Sequence, residues 1–203
     1  VVTLTIDLGQ PNVDLDSAKD KALSLGAKSA FIVDLKEEFA NEYISKAIKA
    51  NALYQGNYPL STAIARYLKV KKAVEIAENV NADTIAHGST GKGNDQVRFD
   101  SGIQVLAPGI KILAPVREWS MTRDMELKYA EKHGIKFEEN SEKPYSTDEN
   151  IWGKSSECGI LEDPSKEPPE SLFEFVTIPE DAPDDPKYVK IKFKDGIPVS
   201  LNN

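Results

Sequence analysis

The chain has 203 residues, with 25 lysines and arginines against 33 aspartates and glutamates, and a formal net charge of −8. An acidic chain is poorly suited to coating phosphate backbones or anionic membranes, so we expect neither a nucleic acid nor a membrane among its partners. One cysteine and two histidines exclude an intrachain disulfide and a zinc site built from cysteine and histidine.

Strands and helices alternate in the first two thirds of the chain. In chain order, the apolar periodicity and turn residues predict a strand over 1–7, a helix over 14–25, a strand over 29–35, a helix over 36–54, a helix beginning near Pro59, a strand over 82–88, a helix over 94–106, a strand over 110–116 and a helix over 122–133. This order predicts an α/β domain around a parallel sheet, in which ligands bind at the carboxyl ends of the strands.

The composition changes after about residue 137. Residues 138–185 are rich in proline, serine and acidic residues without a sustained period, and a hairpin is predicted over 188–201 around Asp195-Gly196. We therefore predict two domains, an α/β domain over 1–137 and the beginning of a second domain over 138–203.

The segment His87–Phe99, HGSTGKGNDQVRF, carries the densest signal for chemistry. Its glycines let the backbone approach a ligand, and its amides together with the next helix N-terminus favour an anion. It is neither a Walker A loop, because glycine rather than serine or threonine follows Lys92, nor a Rossmann fingerprint, because Gln96 stands where the last glycine belongs. The segment predicts a site for an anionic small molecule; the alternative is a polar loop with a helix cap at Asn94 or Asp95.

This segment strongly resembles the signature of the argininosuccinate synthase family. Further blocks agree in order: TIDLGQ, ANALYQGNYPLSTAIAR, LAPVREW, KPYSTDENIWGKSSECGILEDP and FKDGIPVSLNN. The resemblance implies an ATP pyrophosphatase-type nucleotide-binding domain followed by the start of an α+β synthetase domain. It implies a ligase that adenylates citrulline with ATP and Mg²⁺ and then joins it to aspartate, releasing AMP and pyrophosphate. It also implies a cytoplasmic homotetramer in arginine biosynthesis.

The resemblance assigns roles to residues of this chain. ATP contacts fall on Ile6 and Gly88, aspartate contacts on Thr90, Asn94 and Asp95, and citrulline contacts on Tyr58, Ala63, Asn94, Arg98, Ser146 and Ser155. Asp95 is the candidate catalytic residue, because a carboxylate suits the incoming ammonium group and could help remove its proton.

Each assignment has a plainer alternative. Thr90 could make only a local turn hydrogen bond, Arg98 could be solvated, and the side chain of Ile6 is expected to pack in the core. Ser146 and Ser155 rest almost wholly on the resemblance, and Lys92 is either a phosphate partner or a solvated side chain.

The family's Ser-Gly-Gly-Leu-Asp-Thr phosphate loop does not occur in these 203 residues. We therefore expect that this stretch of chain alone does not turn over. Two other functions stay open: another enzyme of the ATP pyrophosphatase fold, or an inactive relative that binds amino acids without activating them.

Overall fold

The computed structural model describes residues 1–11, 13–135 and 145–202. Its first half contains two pairs of parallel strands. β1 (Val2–Asp7) pairs with β2 (Ser29–Asp34) from Val2↔Ser29 to Asp7↔Asp34, and β3 (Thr84–Ala86) pairs with β4 (Lys111–Leu113). Between the paired strands the chain runs through helices, so both crossovers are of the βαβ kind. The predicted parallel α/β organisation of this half is confirmed, as two strand pairs.

The helices of the first half begin near their predicted positions. α1 (Leu15–Ser24) is capped by Asp14, whose carboxylate accepts the Ser17 N–H at 2.9 Å. The next helical stretch consists of α2 (Lys36–Glu38), a π-helical segment (Phe39–Ile44) and α3 (Ser45–Lys49).

The predicted extension of that helical stretch to residue 54 is wrong. The stretch ends at Lys49 because Asn51 takes a left-handed conformation, with φ of 46°. The π-helical segment explains the five-residue spacing of Phe39 and Ile44, since one extra residue per turn directs both side chains into the core.

α4 (Ser61–Asn79) and α5 (Asp95–Leu106) pack against each other and support the candidate site. α4 begins two residues after Pro59, because Leu60 lies in the left-handed region with φ of 57°. The helices approach closely at Gly102, where an added Cβ would lie 2.9 Å from Cγ1 of the buried Val70.

One buried cluster joins β1, the π-helical segment and α4. Its members are Leu8, Leu35, Phe39, Ile44, Ala65 and Leu68, with Ile6, Val33 and Trp152 packed against it. Since apolar burial is the main favourable contribution to folding, this cluster fixes α4 relative to the first strand pair.

The strand predicted over 110–116 is too long. β4 ends at Leu113, and Pro115 opens the short helix α6 (Pro115–Glu118), as expected from the fixed φ of proline at a first helical position. α7 (Arg123–Lys132) follows, within the predicted range.

The second part of the chain contains a hairpin that the sequence did not predict. β5 (Ser146–Asn150) and β6 (Gly153–Glu157) pair antiparallel, although residues 138–185 show no sustained apolar period. Single 3₁₀ turns follow at Gly159–Glu162, Glu170–Leu172 and Pro179–Asp181, and the predicted C-terminal hairpin is confirmed as β7 (Ile191–Lys194) and β8 (Ile197–Leu201). Within the described ranges, no helix has the length and apolar character needed to cross a bilayer.

Candidate functional site

Three elements meet around one arginine, Arg66 of α4. Its Nε donates to Asp95 Oδ2 at 2.8 Å, and one terminal nitrogen lies 2.7 Å from the same oxygen. The same nitrogen donates to both carboxylate oxygens of Asp148, at 3.1 and 3.3 Å. The second turn of α4, the first turn of α5 and the β5–β6 hairpin are therefore joined by one guanidinium group.

Asp95, the first residue of α5, is bound on both carboxylate oxygens. Arg66 occupies Oδ2, and Arg98 NH1 donates to Oδ1 at 2.9 Å. Desolvation by burial raises the pKa of Asp95, but the hydrogen bonds and charges of Arg66 and Arg98 outweigh it, so the pKa lies below its ordinary value. Asp95 is accordingly a fixed carboxylate anion at neutral pH.

The helix cap considered for the start of α5 is present only as a backbone position, without a side-chain bond. Asn94 is the N-cap residue and its side chain makes no capping hydrogen bond, while the Asp95 carboxylate is held by arginines. Neither side chain caps the helix. Asn94 is exposed at the helix N-terminus, and Asp95 is the carboxylate at the centre of the site.

The β5–β6 hairpin lies against the beginning of α4. Asn150 Nδ2 donates to the Ser61 carbonyl at 3.1 Å, and the indole N–H of Trp152 donates to the Pro59 carbonyl at 2.9 Å. On the same face, the Ser155 hydroxyl lies 3.4 Å from that of Thr62. These bonds bring Ser155 next to the helix start that carries two further predicted citrulline residues, Tyr58 and Ala63.

Pairing in the hairpin also settles which side Ser146 faces. Because directly paired residues point to the same face of an antiparallel ladder, Ser146 shares the α4-facing side with Asp148 and Ser155. Ser146 is exposed and opens β5, at the end of the hairpin away from the turn.

A second network holds the glycine-rich loop between β3 and α5. His87 Nε2 lies 2.9 Å from Asp100, Arg117 NH1 donates to the same carboxylate at 2.7 Å and to Gln96 Oε1 at 3.0 Å, and Gln96 donates to the Gly91 carbonyl at 2.7 Å. His87 also accepts the Ser89 N–H on Nδ1 at 3.3 Å. The loop is therefore positioned by side chains from α5 and α6.

The loop leaves room for a ligand on its open side. An added Cβ at Gly88 or Gly93 would meet no atom within 4 Å, and Gly93 adopts φ of 80°. Thr90 makes the local turn bonds considered as its alternative, with its hydroxyl 3.1 Å from the Lys92 carbonyl and 3.3 Å from the Lys92 N–H. Over residues 88–93, the amides of Gly91 and Gly93 donate to no acceptor in the described chain, so they can serve an anion.

The structure thus brings together the elements that carry most of the predicted residues. Arg66 joins Asp95 of α5 to Asp148 of the hairpin that carries Ser146 and Ser155. Tyr58 and Ala63 lie at the start of α4, and Gly88 and Thr90 lie in the loop that leads into α5. Ile6 lies in the other strand pair, where its side chain packs against the core cluster as expected.

Sequence reasoning missed the residues that hold the site together: Arg66, Asp100, Arg117 and Asp148. Arg66, Arg117 and Asp148 lie inside blocks that carry the family resemblance, and Asp100 directly follows one. A charged residue amid a long apolar helix face was the available signal for Arg66. The pairing of Asp148 depends on tertiary contacts that no spacing reveals.

Comparison with known proteins gives two family matches. Residues 1–136 match the family described as the arginosuccinate synthase N-terminal HUP domain, and residues 145–203 match the arginosuccinate synthase C-terminal domain. The chain is 57% identical over 202 residues to an argininosuccinate synthase of Pyrococcus furiosus, covering 100% of this chain and 48% of that protein. It is 52% identical over 202 residues to that of Geobacillus kaustophilus, covering 100% and 50% respectively. It is 53% identical over 199 residues to that of Rubrobacter xylanophilus, covering 98% and 48%. The chain spans about half the length of the curated relatives it matches.

Proposed function

Because the chain belongs to the argininosuccinate synthase family, we propose that the whole protein joins citrulline to aspartate with ATP and releases AMP and pyrophosphate. In the first step the ureido oxygen of citrulline attacks the α-phosphate of ATP and pyrophosphate leaves. In the second, the amine of aspartate displaces AMP from the activated carbon.

One observation carries this proposal: Arg66 joins the elements that carry the residues proposed for both amino acids. Asp95 and Arg98 come from α5, Ser155 from the hairpin, and the start of α4 lies between them. A reaction without a covalent enzyme intermediate depends on holding charged reactants in line, and a rigid charged frame supplies that positioning.

We assign Asp95 an electrostatic task. A carboxylate held by two arginines, with a pKa below its ordinary value, is a weak base, so it is better suited to attracting the ammonium group of aspartate than to removing its proton. The sequence-based hypothesis for Asp95 had left open whether it removes a proton from the aspartate amine, and we now favour charge attraction alone.

Arg98 is proposed to bind the citrulline carboxylate while it stays within reach of Asp95. A guanidinium group has five N–H donors, and only one Arg98 bond to Asp95 is used here. The remaining donors can hold a substrate carboxylate in a bidentate pair.

For ATP, the proposal uses main-chain groups. Gly88 at the end of β3 and the amides of Gly91 and Gly93 offer donors to phosphate oxygens, and Ile6 contributes backbone from the other strand pair. Among the described residues there is no group of three or more histidines, cysteines and carboxylates that could hold a metal ion. We therefore propose that Mg²⁺ enters on the phosphates of ATP, as it commonly does.

The proposal extends to a domain division at about residue 137, a homotetramer and a cytoplasmic location. Two other functions compete with it: another ATP pyrophosphatase-fold enzyme, and a relative that binds amino acids only. An argininosuccinate synthase releases AMP only when citrulline is present, whereas another enzyme of this fold needs a different substrate. A relative that only binds amino acids releases no AMP.

The test is substrate-dependent AMP release by the whole protein that carries these residues. We expect AMP only when citrulline is present, positional isotope exchange in ATP with citrulline alone, and argininosuccinate, identified by mass spectrometry, only when aspartate is added. Citrulline-independent AMP release would indicate another enzyme of this fold, and citrulline binding without isotope exchange would indicate the binding-only relative.

An Asp95→Asn variant locates the second step. We expect overall turnover to fall by about 10²–10³, the typical cost of one lost electrostatic group at a developing charge. The citrulline-dependent isotope exchange should fall by less than about tenfold, because adenylation precedes the entry of the amine. An equal loss in both measurements would contradict the assignment of Asp95 to aspartate.

A further inference from the structure

We propose that Arg66 is a positioning residue, which acts through Asp95 and Asp148 to align the aspartate-binding end of α5 with the hairpin that carries the citrulline serines. This inference rests on the proposed function. It assigns a role to a residue that touches neither reacting atom but joins the elements that do.

The position of the Arg66 guanidinium supports this role. The Arg66 side chain is only 13% exposed, and its guanidinium bridges carboxylates from two different elements, at 2.7–2.8 Å to Asp95 and 3.1–3.3 Å to Asp148. The planar fork of arginine suits this task because its donors diverge in fixed directions, whereas the ammonium group of lysine is a single point charge.

Among the described residues, Arg66 is the one that binds the Oδ2 oxygen of Asp95. Arg98 binds only Oδ1, and Arg98 is also the proposed partner of the citrulline carboxylate. When citrulline draws on the donors of Arg98, Arg66 remains to hold Asp95 in place. Arg66 thus keeps the anion for aspartate fixed while its neighbour is engaged with the other substrate.

The charge balance of the cluster also supports this role. Arg66, Arg98 and Lys69 face the two carboxylates of Asp95 and Asp148, so the cluster carries one surplus positive charge. Lys69, one turn beyond Arg66, makes no ion pair in the described ranges, and its pKa is lowered by burial and by the charge of Arg66. A positive surplus suits substrates that bring more carboxylates than ammonium groups.

The experiment compares Arg66→Met, Arg66→Lys and Asp148→Asn in the whole protein, with Lys71→Met as the matched control. Lys71 lies on the same helix, and its only ion pair among the described residues, at 2.5 Å to Glu38, points towards α2. Steady-state constants for each substrate, isotope exchange with citrulline alone and melting temperature are measured for every variant.

Arg66→Met breaks both links, so we expect the KM for aspartate to rise at least tenfold, the KM for citrulline to rise as in Asp148→Asn, and kcat to fall at least tenfold. Isotope exchange at saturating citrulline should change less than threefold. Arg66→Lys should recover part of the aspartate affinity because it restores the charge but not the fork. Asp148→Asn should raise the KM for citrulline more than that for aspartate, since it weakens one link between the hairpin and α4 and leaves the Asp95 pair intact. The control should match the wild type.

A readout independent of turnover completes the test. The Asp95 carboxyl is titrated by ¹³C NMR, with Arg66, Arg98, Lys69 and Asp148 as the charges that face it. In Arg66→Met its pKa should rise, with a parallel shift in the acid limb of the kcat/KM profile for aspartate. Variants that lose only melting temperature, with unchanged aspartate KM and an unshifted Asp95 titration, would overturn the inference.

The two proposals fail separately. A wild-type protein without citrulline-dependent AMP release would refute the proposed function. In that event the Asp95 titration still decides whether Arg66 controls this carboxylate, and an unshifted pKa in Arg66→Met refutes that control. If Arg66→Met does not fold, Arg66→Lys and Asp148→Asn carry the comparison, and wild-type behaviour of both refutes the inference.

Discussion

Two aspartates of α5 are held in the same way, each between two nitrogen-bearing side chains. Asp95 accepts from Arg66 and Arg98, and Asp100 accepts from Arg117 while lying 2.9 Å from His87 Nε2. The first pair faces the proposed substrates and the second stabilises the loop before the helix. At the scale of single residues, the site is therefore a set of carboxylates paired with basic side chains rather than a single residue with an unusual pKa.

Asp100 leads to a prediction about stability against pH. Burial raises the pKa of Asp100, but bonds to His87 and Arg117 outweigh it and the pKa is lowered. A carboxylate with a lowered folded pKa adds stability that is complete above its unfolded value of about 3.9 and disappears as pH falls through the folded value. We expect Asp100→Asn to cost about 1–3 kcal/mol at pH 7.

Urea unfolding from pH 8 down to pH 3 measures this difference. The gap between the wild type and Asp100→Asn should be constant down to about pH 5 and close below about pH 4. Asp20→Asn is the control, because Asp20 is exposed and forms no ion pair in the described residues of α1. A gap that persists unchanged at pH 3 would contradict the ionic origin of the effect.

The pairing of α4 with α5 determines whether Arg66 can reach Asp95. Gly102 makes this close approach possible, because a larger residue would collide with Val70, which is 1% exposed. The sequence predicted both helices within two residues of their observed starts, since caps and apolar stripes are local signals. It could not predict their separation, which depends on a single missing side chain.

Gly102→Ala tests this contact. The added methyl group overpacks against Val70 at a typical cost of about 1–3 kcal/mol, and the better helix propensity of alanine returns up to about 1 kcal/mol. We expect a net loss of about 0.5–2 kcal/mol by urea unfolding, and a reduced affinity for aspartate.

Two further variants test whether the collision with Val70 causes the loss of stability. Val70→Ala in the Gly102→Ala background should recover part of that loss, because it removes the colliding atoms. Gly109→Ala, where an added Cβ meets no atom within 4 Å, should leave stability unchanged within about 0.5 kcal/mol. Equal losses at Gly102 and Gly109 would argue against the packing explanation.

The molecule as a whole combines a HUP domain with a second part that reaches back to it through the β5–β6 hairpin. The motifs predicted the parallel α/β domain and its family correctly, because glycine spacing and helix starts are local features that the sequence shows directly. The hairpin was missed since its strand residues, STDEN and GKSSE, are polar on both faces and are ordered by contacts with α4. Hence the parts of the site supplied by the loop and α5 were predictable, but the links through Arg66 and Asp148 were not.

Asn150→Ala tests the importance of this docking. Asn150 is buried, donates to the Ser61 carbonyl and accepts the main-chain N–H of Trp152 at 2.8 Å. Its loss leaves the buried Ser61 carbonyl and the half-buried Trp152 N–H unpaired, at a cost of about 1–3 kcal/mol. We expect weaker citrulline binding by calorimetry, a smaller change in ATP binding, and faster hydrogen exchange at residues 146–157.

Thr147→Ala is the matched control in the same strand. Its hydroxyl bonds to Ser156 at 3.1 Å on the opposite face of the hairpin, so it should leave citrulline binding unchanged. Normal citrulline affinity in Asn150→Ala, together with accelerated exchange, would separate hairpin docking from substrate binding and contradict the prediction.

The indole of Trp152 lies at the junction where the hairpin meets α4, with its N–H bonded to the Pro59 carbonyl. The chain has one other tryptophan, Trp119, which is exposed and next to the ring of Tyr129. The protein therefore carries a native optical probe of its own assembly. With every other tryptophan of the whole protein replaced by phenylalanine, the emission of the Trp152 indole reports directly whether the hairpin is closed over the start of the helix. The opening and closing of the proposed citrulline site can then be followed in time without any added label.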